Sequence, residues 1–199
     1  MKKRILPLAF ALAASPLWSQ SFEAGLFLGQ NSYRSNLLDD EPDAKTVVSA
    51  RLGYAVLDSG PCLFQLTAGY QPEFDTPVDL SGSGGPASRY GQRYWSLGVM
   101  LNIKTLVAFG VGLEYRSENL SLSGPGPDGS TTYGRPWVRA DVGYAFPAPV
   151  LKPFIGLEVA APLTSTTADF SSSPTLDLDT NLKSHAPNFQ VGLYGGIRF

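Results

Sequence analysis

Phe189-Gln190-Val191-Gly192-Leu193-Tyr194-Gly195-Gly196-Ile197-Arg198-Phe199 closes the chain, and its alternation decides the fold class. Phe189, Val191, Leu193, Gly195, Ile197 and Phe199 share one face of an extended strand, and Gln190, Gly192, Tyr194, Gly196 and Arg198 share the other, because successive strand side chains point to opposite sides. Working back from this stretch, the same period of two recurs seven times. Ile155, Leu157, Val159 and Ala161 oppose Gly156, Glu158 and Ala160; Val138, Ala140, Val142, Tyr144 and Phe146 oppose Arg139, Asp141, Gly143 and Ala145. Val107, Phe109, Val111, Leu113 and Tyr115 oppose Ala108, Gly110, Gly112, Glu114 and Arg116. Trp95, Leu97, Val99 and Leu101 oppose Tyr94, Ser96, Gly98 and Met100; Phe64, Leu66, Ala68 and Tyr70 oppose Gln65, Thr67 and Gly69. Val48, Ala50, Leu52, Tyr54 and Val56 oppose Ser49, Arg51, Gly53 and Ala55. The first segment is less clean, with Phe22, Ala24, Leu26 and Leu28 opposing Glu23, Gly25, Phe27 and Gly29. Eight strands are predicted.

Connections of two lengths separate them. Asp58 to Pro61, Asn102 to Thr105 and Pro147 to Lys152 are short, whereas 31–45, 72–89, 117–132 and 163–188 are long and rich in Gly, Pro, Ser, Thr and Asp. Short and long connections in turn are the pattern of an up-and-down membrane barrel, with turns on the periplasmic side and loops outside. An even strand number puts both termini in the periplasm. The glycine- and serine-rich stretches Ser81 to Gly85 and Ser123 to Gly129 sit where loop tips are expected, so no second domain is read.

Composition agrees. Of 199 residues, 43% are hydrophobic and only 16% charged, well under the roughly 25% of soluble domains. One cysteine excludes a disulfide framework and a cysteine-rich zinc site within the chain. Cys62 reads as a small apolar residue at a strand start, far from any lipidation site. The first residues form an export signal: Lys2, Lys3 and Arg4 precede the apolar run Ile5 to Ala14, too short to span a bilayer. Cleavage after Ser19 or after Ala13 fits, giving a signal over 1–19 and a barrel domain over 20–199. Without those three basic residues the chain keeps 12 basic against 17 acidic residues. Nucleic acid is therefore not an expected partner, since phosphate neutralisation needs clustered Lys and Arg.

The class of barrel follows from which face meets lipid. A soluble eight-stranded barrel puts apolar side chains inside. Here one face is continuously apolar and the other carries Gly, Ala, Ser and charges, which suit a lumen just wide enough for side chains to fill. The apolar face should therefore look outward. Tyr54, Phe64, Tyr144, Phe146 and Phe199 fall at one rim of it, and Tyr70, Tyr115 and Trp95 at the other, as interfacial girdles require.

The chain resembles small bacterial outer-membrane β-barrel proteins, in the style of the OmpA transmembrane domain and OmpX. The resemblance covers about 22–199 and rests on the export signal, the eight alternating segments and the closing strand. It implies a bacterial outer-membrane location, contact with outer-membrane lipid and lipopolysaccharide, and Phe199 as the terminal aromatic read by the barrel-assembly machinery. The chain departs from full-length OmpA in having no periplasmic peptidoglycan-binding domain, so no cell-wall tether is expected.

Four acids and four arginines fall on the inner face: Glu23, Glu114, Asp141 and Glu158 against Arg51, Arg116, Arg139 and Arg198. A narrow lumen needs that balance, because an unpaired buried charge is costly. Glu114 lies eight residues past Leu106 and Arg139 seven before Phe146, which predicts the two level on neighbouring strands. Glu158 could share Arg139, and Glu23 should meet Arg198 where the first and last strands close. These pairs either plug and stiffen the interior or form a gate whose rearrangement opens a narrow water path.

Catalytic and metal signals are thin. The single histidine, His185, stands beside Ser184 in the longest loop, without the spacing of a known lipid-modifying barrel, and reads as a solvated loop residue. Asp177-Leu178-Asp179-Thr180-Asn181 begins like a calcium loop, but Leu182 stands where glycine is needed and no closing Glu follows. Asp39, Asp40, Glu41 and Asp43 read as an ordinary acidic loop, and Gly110-x-Gly112 follows strand phase. No cofactor, metal or catalytic residue is expected. The expectation is a monomeric barrel that anchors four loops for an unidentified surface ligand. A narrow channel for small or hydrophobic solutes is the alternative, and a lipid A-modifying enzyme the third reading.

Overall fold

The structure is a computed structural model, and it describes residues 22–33, 44–78, 88–105, 107–124, 128–148, 150–164, 182–183 and 185–199. The signal segment, the acidic run 39–43, the calcium-like run 177–181 and Ser184 lie outside them.

Eight antiparallel strands close on themselves in sequence order. They are β1 Phe22–Ser32, β2 Ala44–Ser59, β3 Cys62–Val78, β4 Ser88–Lys104, β5 Ala108–Ser123, β6 Gly129–Ala145, β7 Lys152–Pro162 and β8 Phe189–Arg198. Each pairs with its neighbours, and β1 pairs with β8 from Glu23↔Arg198 to Ser32↔Phe189. The seam is complete to the last residue, since the Phe22 and Phe199 backbones exchange both hydrogen bonds at 2.9 Å. No edge is left to template pairing with another chain. Cys62 is exposed at the start of β3. Gly60, in the β2–β3 turn, adopts φ +56°, a left-handed conformation that suits glycine.

In all eight strands the expected phase holds. The outward face is apolar and half-exposed, as at Leu26, Leu52, Leu66, Leu97, Val111, Leu113, Leu157 and Leu193. A belt of apolar side chains around the whole wall, with no charge among them, far exceeds the few hundred Å² of a soluble monomer's largest patch. Hydrocarbon is the solvent that suits it, and a closed barrel satisfies every backbone group within such a medium. Aromatics collect at the two rims. At the turn end Phe22 packs on Tyr54 at 5.1 Å and on Phe199 at 6.1 Å between ring centroids, and Tyr144 meets Phe146 edge-on. At the loop end Tyr70 and Trp95 are cross-strand partners, with Tyr115 one strand further on.

The strands run further than the sequence pattern predicted. β3 continues to Val78, β4 starts at Ser88, β5 continues to Ser123 and β6 starts at Gly129, so 72–78, 88–89, 117–123 and 129–132 are wall rather than loop. A register shift between Gln71 and Phe74 lets β3 turn into this extension. Above the belt the polarity of the wall inverts. Along β5 the outward residues change from Phe109, Val111, Leu113 and Tyr115 to Ser117, Asn119, Ser121 and Ser123, while the inward ones change from Glu114, Arg116 and Glu118 to Leu120 and Leu122. The projecting sheet faces water outside and carries its own small core inside.

Candidate functional site: the barrel lumen and its covered mouth

The inward face is packed with side chains along most of its length. Trp137, Phe27, Leu63, Gln71, Gln190, Arg116, Glu118 and Glu158 are fully buried there. Contacts crossing the lumen between strands that are not neighbours hold it together. Asn31 on β1 donates to Gln92 on β4 at 3.3 Å, and Arg116 on β5 donates to Gln190 on β8 at 2.8 Å. Gln65 on β3 donates to Glu23 on β1 at 3.2 Å, and itself accepts from Asn102 on the adjoining β4 at 2.7 Å.

Seven of the eight predicted lumen charges form ion pairs. Glu23 binds Arg198 at 2.5 Å across the seam, as expected, and also accepts from Tyr194. Glu114 joins Arg116 at 2.6 Å and Arg139 at 3.3 Å. The predicted register is two residues off, because Glu114 pairs with Trp137 in the ladder and Arg139 with Gly112; the long arginine spans the diagonal. Glu158 does lie 3.9 Å from Arg139, but its closest partner is Arg51, reached across the lumen. Asp141 is the exception. It stands directly opposite Glu158 in the ladder and lines a cavity instead of joining an ion pair among the described residues.

The sequence reading missed one pair, whose carboxylate collects several donors. Glu118 accepts from Arg135 Nε and Nη2, both at 2.9 Å, and from Trp137 Nε1 at 2.8 Å. Both charges are almost completely buried. Glu118 and Arg135 raise the lumen set to five acids and five arginines, still balanced. The arginines also stack: Arg116 lies 4.4 Å from the Tyr94 ring and 3.9 Å from the Trp137 ring, and Arg135 lies 4.8 Å from Trp137. Planar guanidinium groups between aromatic faces form a rigid filling, since desolvated cation–π contacts contribute about 2 kcal/mol each.

The loop end is covered. Leu182 and Ala186 pack on Leu120 and Leu122, with Tyr90 and Tyr133 against the same cluster. Pro187 is fully buried and its carbonyl accepts from Arg135. Tyr90 donates to the His185 carbonyl at 3.1 Å, and the Asn188 amide donates to Ser32 at 2.9 Å. His185 thus belongs to a segment laid across the mouth rather than to a free loop. At the opposite end a cavity of about 50 Å³ opens among Glu23, Arg139, Asp141, Tyr194 and Arg198, room for a few waters at most. Among the described residues no cluster of His, Cys, Asp or Glu could hold a metal ion.

No protein-family model and no curated protein matches the sequence. Solved structures do match in fold. A major outer membrane protein from Thermus thermophilus superposes with a TM-score of 0.53 at 15% identity, over 89% of this chain and 99% of that one. Ail, the attachment invasion locus protein of Yersinia pestis, solved with the heparin analogue sucrose octasulfate, superposes with a TM-score of 0.51 at 10% identity, over 92% of this chain and 100% of that one. The fold is that of a small outer-membrane barrel. Identities this low carry the architecture of the barrel and leave its ligand open.

Proposed function

We propose that the barrel is an outer-membrane anchor, with both termini periplasmic, whose task is to hold its four loops and the projecting wall at the cell surface for a binding partner. The filled lumen and the covered mouth carry this reading. A solute path would have to displace Trp137, the stacked arginines and the covering Leu182, Ala186 and Pro187, and among the described residues the turn-end cavity offers about 50 Å³. The monomer suffices, because the barrel has no open edge. Lipid and lipopolysaccharide surround the belt, Phe199 presents the terminal aromatic to the assembly machinery, and no step of catalysis is assigned.

Two measurements test it. In planar bilayers the purified barrel is expected to show no conductance steps above leak, and Arg139→Ala to stay equally silent; discrete openings in either would favour the channel. Protease added to intact cells is expected to cut in the four loops and leave the strands whole. Full protection of the loops would overturn the surface role.

A further inference from the structure

We infer that the outer wall carries a binding shelf for the phosphorylated sugar headgroup of a glycolipid of the outer leaflet, built by Arg93, Asn119 and Thr132 above Tyr70 and Trp95. The inference rests on the outer-membrane reading and names a lipid partner for it. A groove of about 280 Å³ lies on the outward face, lined by these residues and Ser117. Its height is what gives it meaning. Tyr70, Trp95 and Tyr115 are the last apolar outward residues of β3, β4 and β5; beyond them stand Arg93 on β4 and, on β5, Ser117 and then Asn119, which pairs with Arg93 in the ladder. Lipid headgroups sit where hydrocarbon ends, so the shelf lies level with them.

The side chains are arranged in a relay. Arg93 Nε donates to Asn119 Oδ1 at 3.2 Å, and Asn119 Nδ2 donates to Thr132 Oγ1 at 2.7 Å and to the Thr131 carbonyl at 3.3 Å. The relay holds the guanidinium by its Nε edge and, among the described residues, leaves both terminal nitrogens for a ligand. Arg93 makes no ion pair among the described residues, unlike every arginine of the lumen. A guanidinium with free donors matches a phosphate monoester in geometry and charge. Thr132 and Ser117 offer hydroxyls to a sugar, and the Tyr70 and Trp95 rings below present apolar faces to its C–H groups and to acyl chains.

The test uses the full mature barrel in phosphatidylcholine nanodiscs doped with bisphosphorylated lipid A, with its phosphate-free counterpart as the second arm, and counts bound glycolipid by native mass spectrometry. Wild type is expected to retain the phosphorylated lipid about tenfold better than Arg93→Gln, roughly one charge-assisted hydrogen bond. Arg89→Gln, on the same face but above the groove, should bind as wild type does, and the phosphate-free lipid should bind wild type no better than it binds Arg93→Gln. Equal retention by wild type and Arg93→Gln overturns the shelf. An equal loss in Arg89→Gln also overturns it, because binding would then follow overall charge. The readout is made in a chosen bilayer, so it stands even if fractionation of cells were to refute the outer-membrane location.

Discussion

Alanine at Glu118 is expected to lower unfolding stability by about 3–5 kcal/mol, the cost typical of stripping one partner from a buried ion pair. Glu118 is fully buried and is the acceptor for Arg135 twice, for Trp137 once and, at 3.5 Å, for Tyr133. Its loss leaves a guanidinium and an indole N–H without an acceptor in a region closed to bulk water. The loss should also loosen the mouth, because the same Arg135 holds the Pro187 carbonyl. Urea unfolding in lipid vesicles followed by tryptophan fluorescence measures it, and Glu118→Gln, which keeps an acceptor, should fall between alanine and wild type. A loss below about 1 kcal/mol for alanine would mean that water reaches the pair and that the lumen is more open than described.

Arginine at Leu113 should be nearly as harmful for a different reason. Leu113 lies in the outward belt of β5 and is about half exposed to the surroundings, so the substitution places a charge in hydrocarbon at a cost of about 2–4 kcal/mol near mid-bilayer. Asn119→Arg, on the same face of the same strand above the aromatic rim, should cost about 1 kcal/mol or less. Comparable losses at the two positions, in the same vesicle assay, would remove the evidence for a membrane boundary between them.

The contrast between those two positions explains how far the sequence could be read. Within the belt every inner and outer residue was legible, because lipid on one side and a packed lumen on the other impose a strict alternation over Phe109 to Tyr115 and its counterparts. Beyond Tyr115 the outward face meets water and turns to Ser117, Asn119 and Ser121, so the apolar signal stops although the strand does not. That is why Glu118 and Arg135 escaped notice. The signal that could have found them was the unbroken inward series Glu114, Arg116, Glu118, Leu120, Leu122, read without requiring apolar partners. Ion pairs between adjoining strands, such as Glu23 with Arg198, followed from ladder arithmetic. Arg51 with Glu158 did not, because β2 and β7 are separated by two other strands and meet only through the lumen. Which chain neighbour fills a closed tube from the far side depends on strand tilt and side-chain length, and neither is written in spacing along the chain.

The segment across the mouth runs directly into β8, and Asn188 ties it to the end of β1. The cork and the zipper are therefore one stretch of polypeptide. Leu182, Ala186 and Pro187 lie across the top, and the strand that follows them seals the side, so the residues that stopper one end and those that close the seam are joined within a few positions.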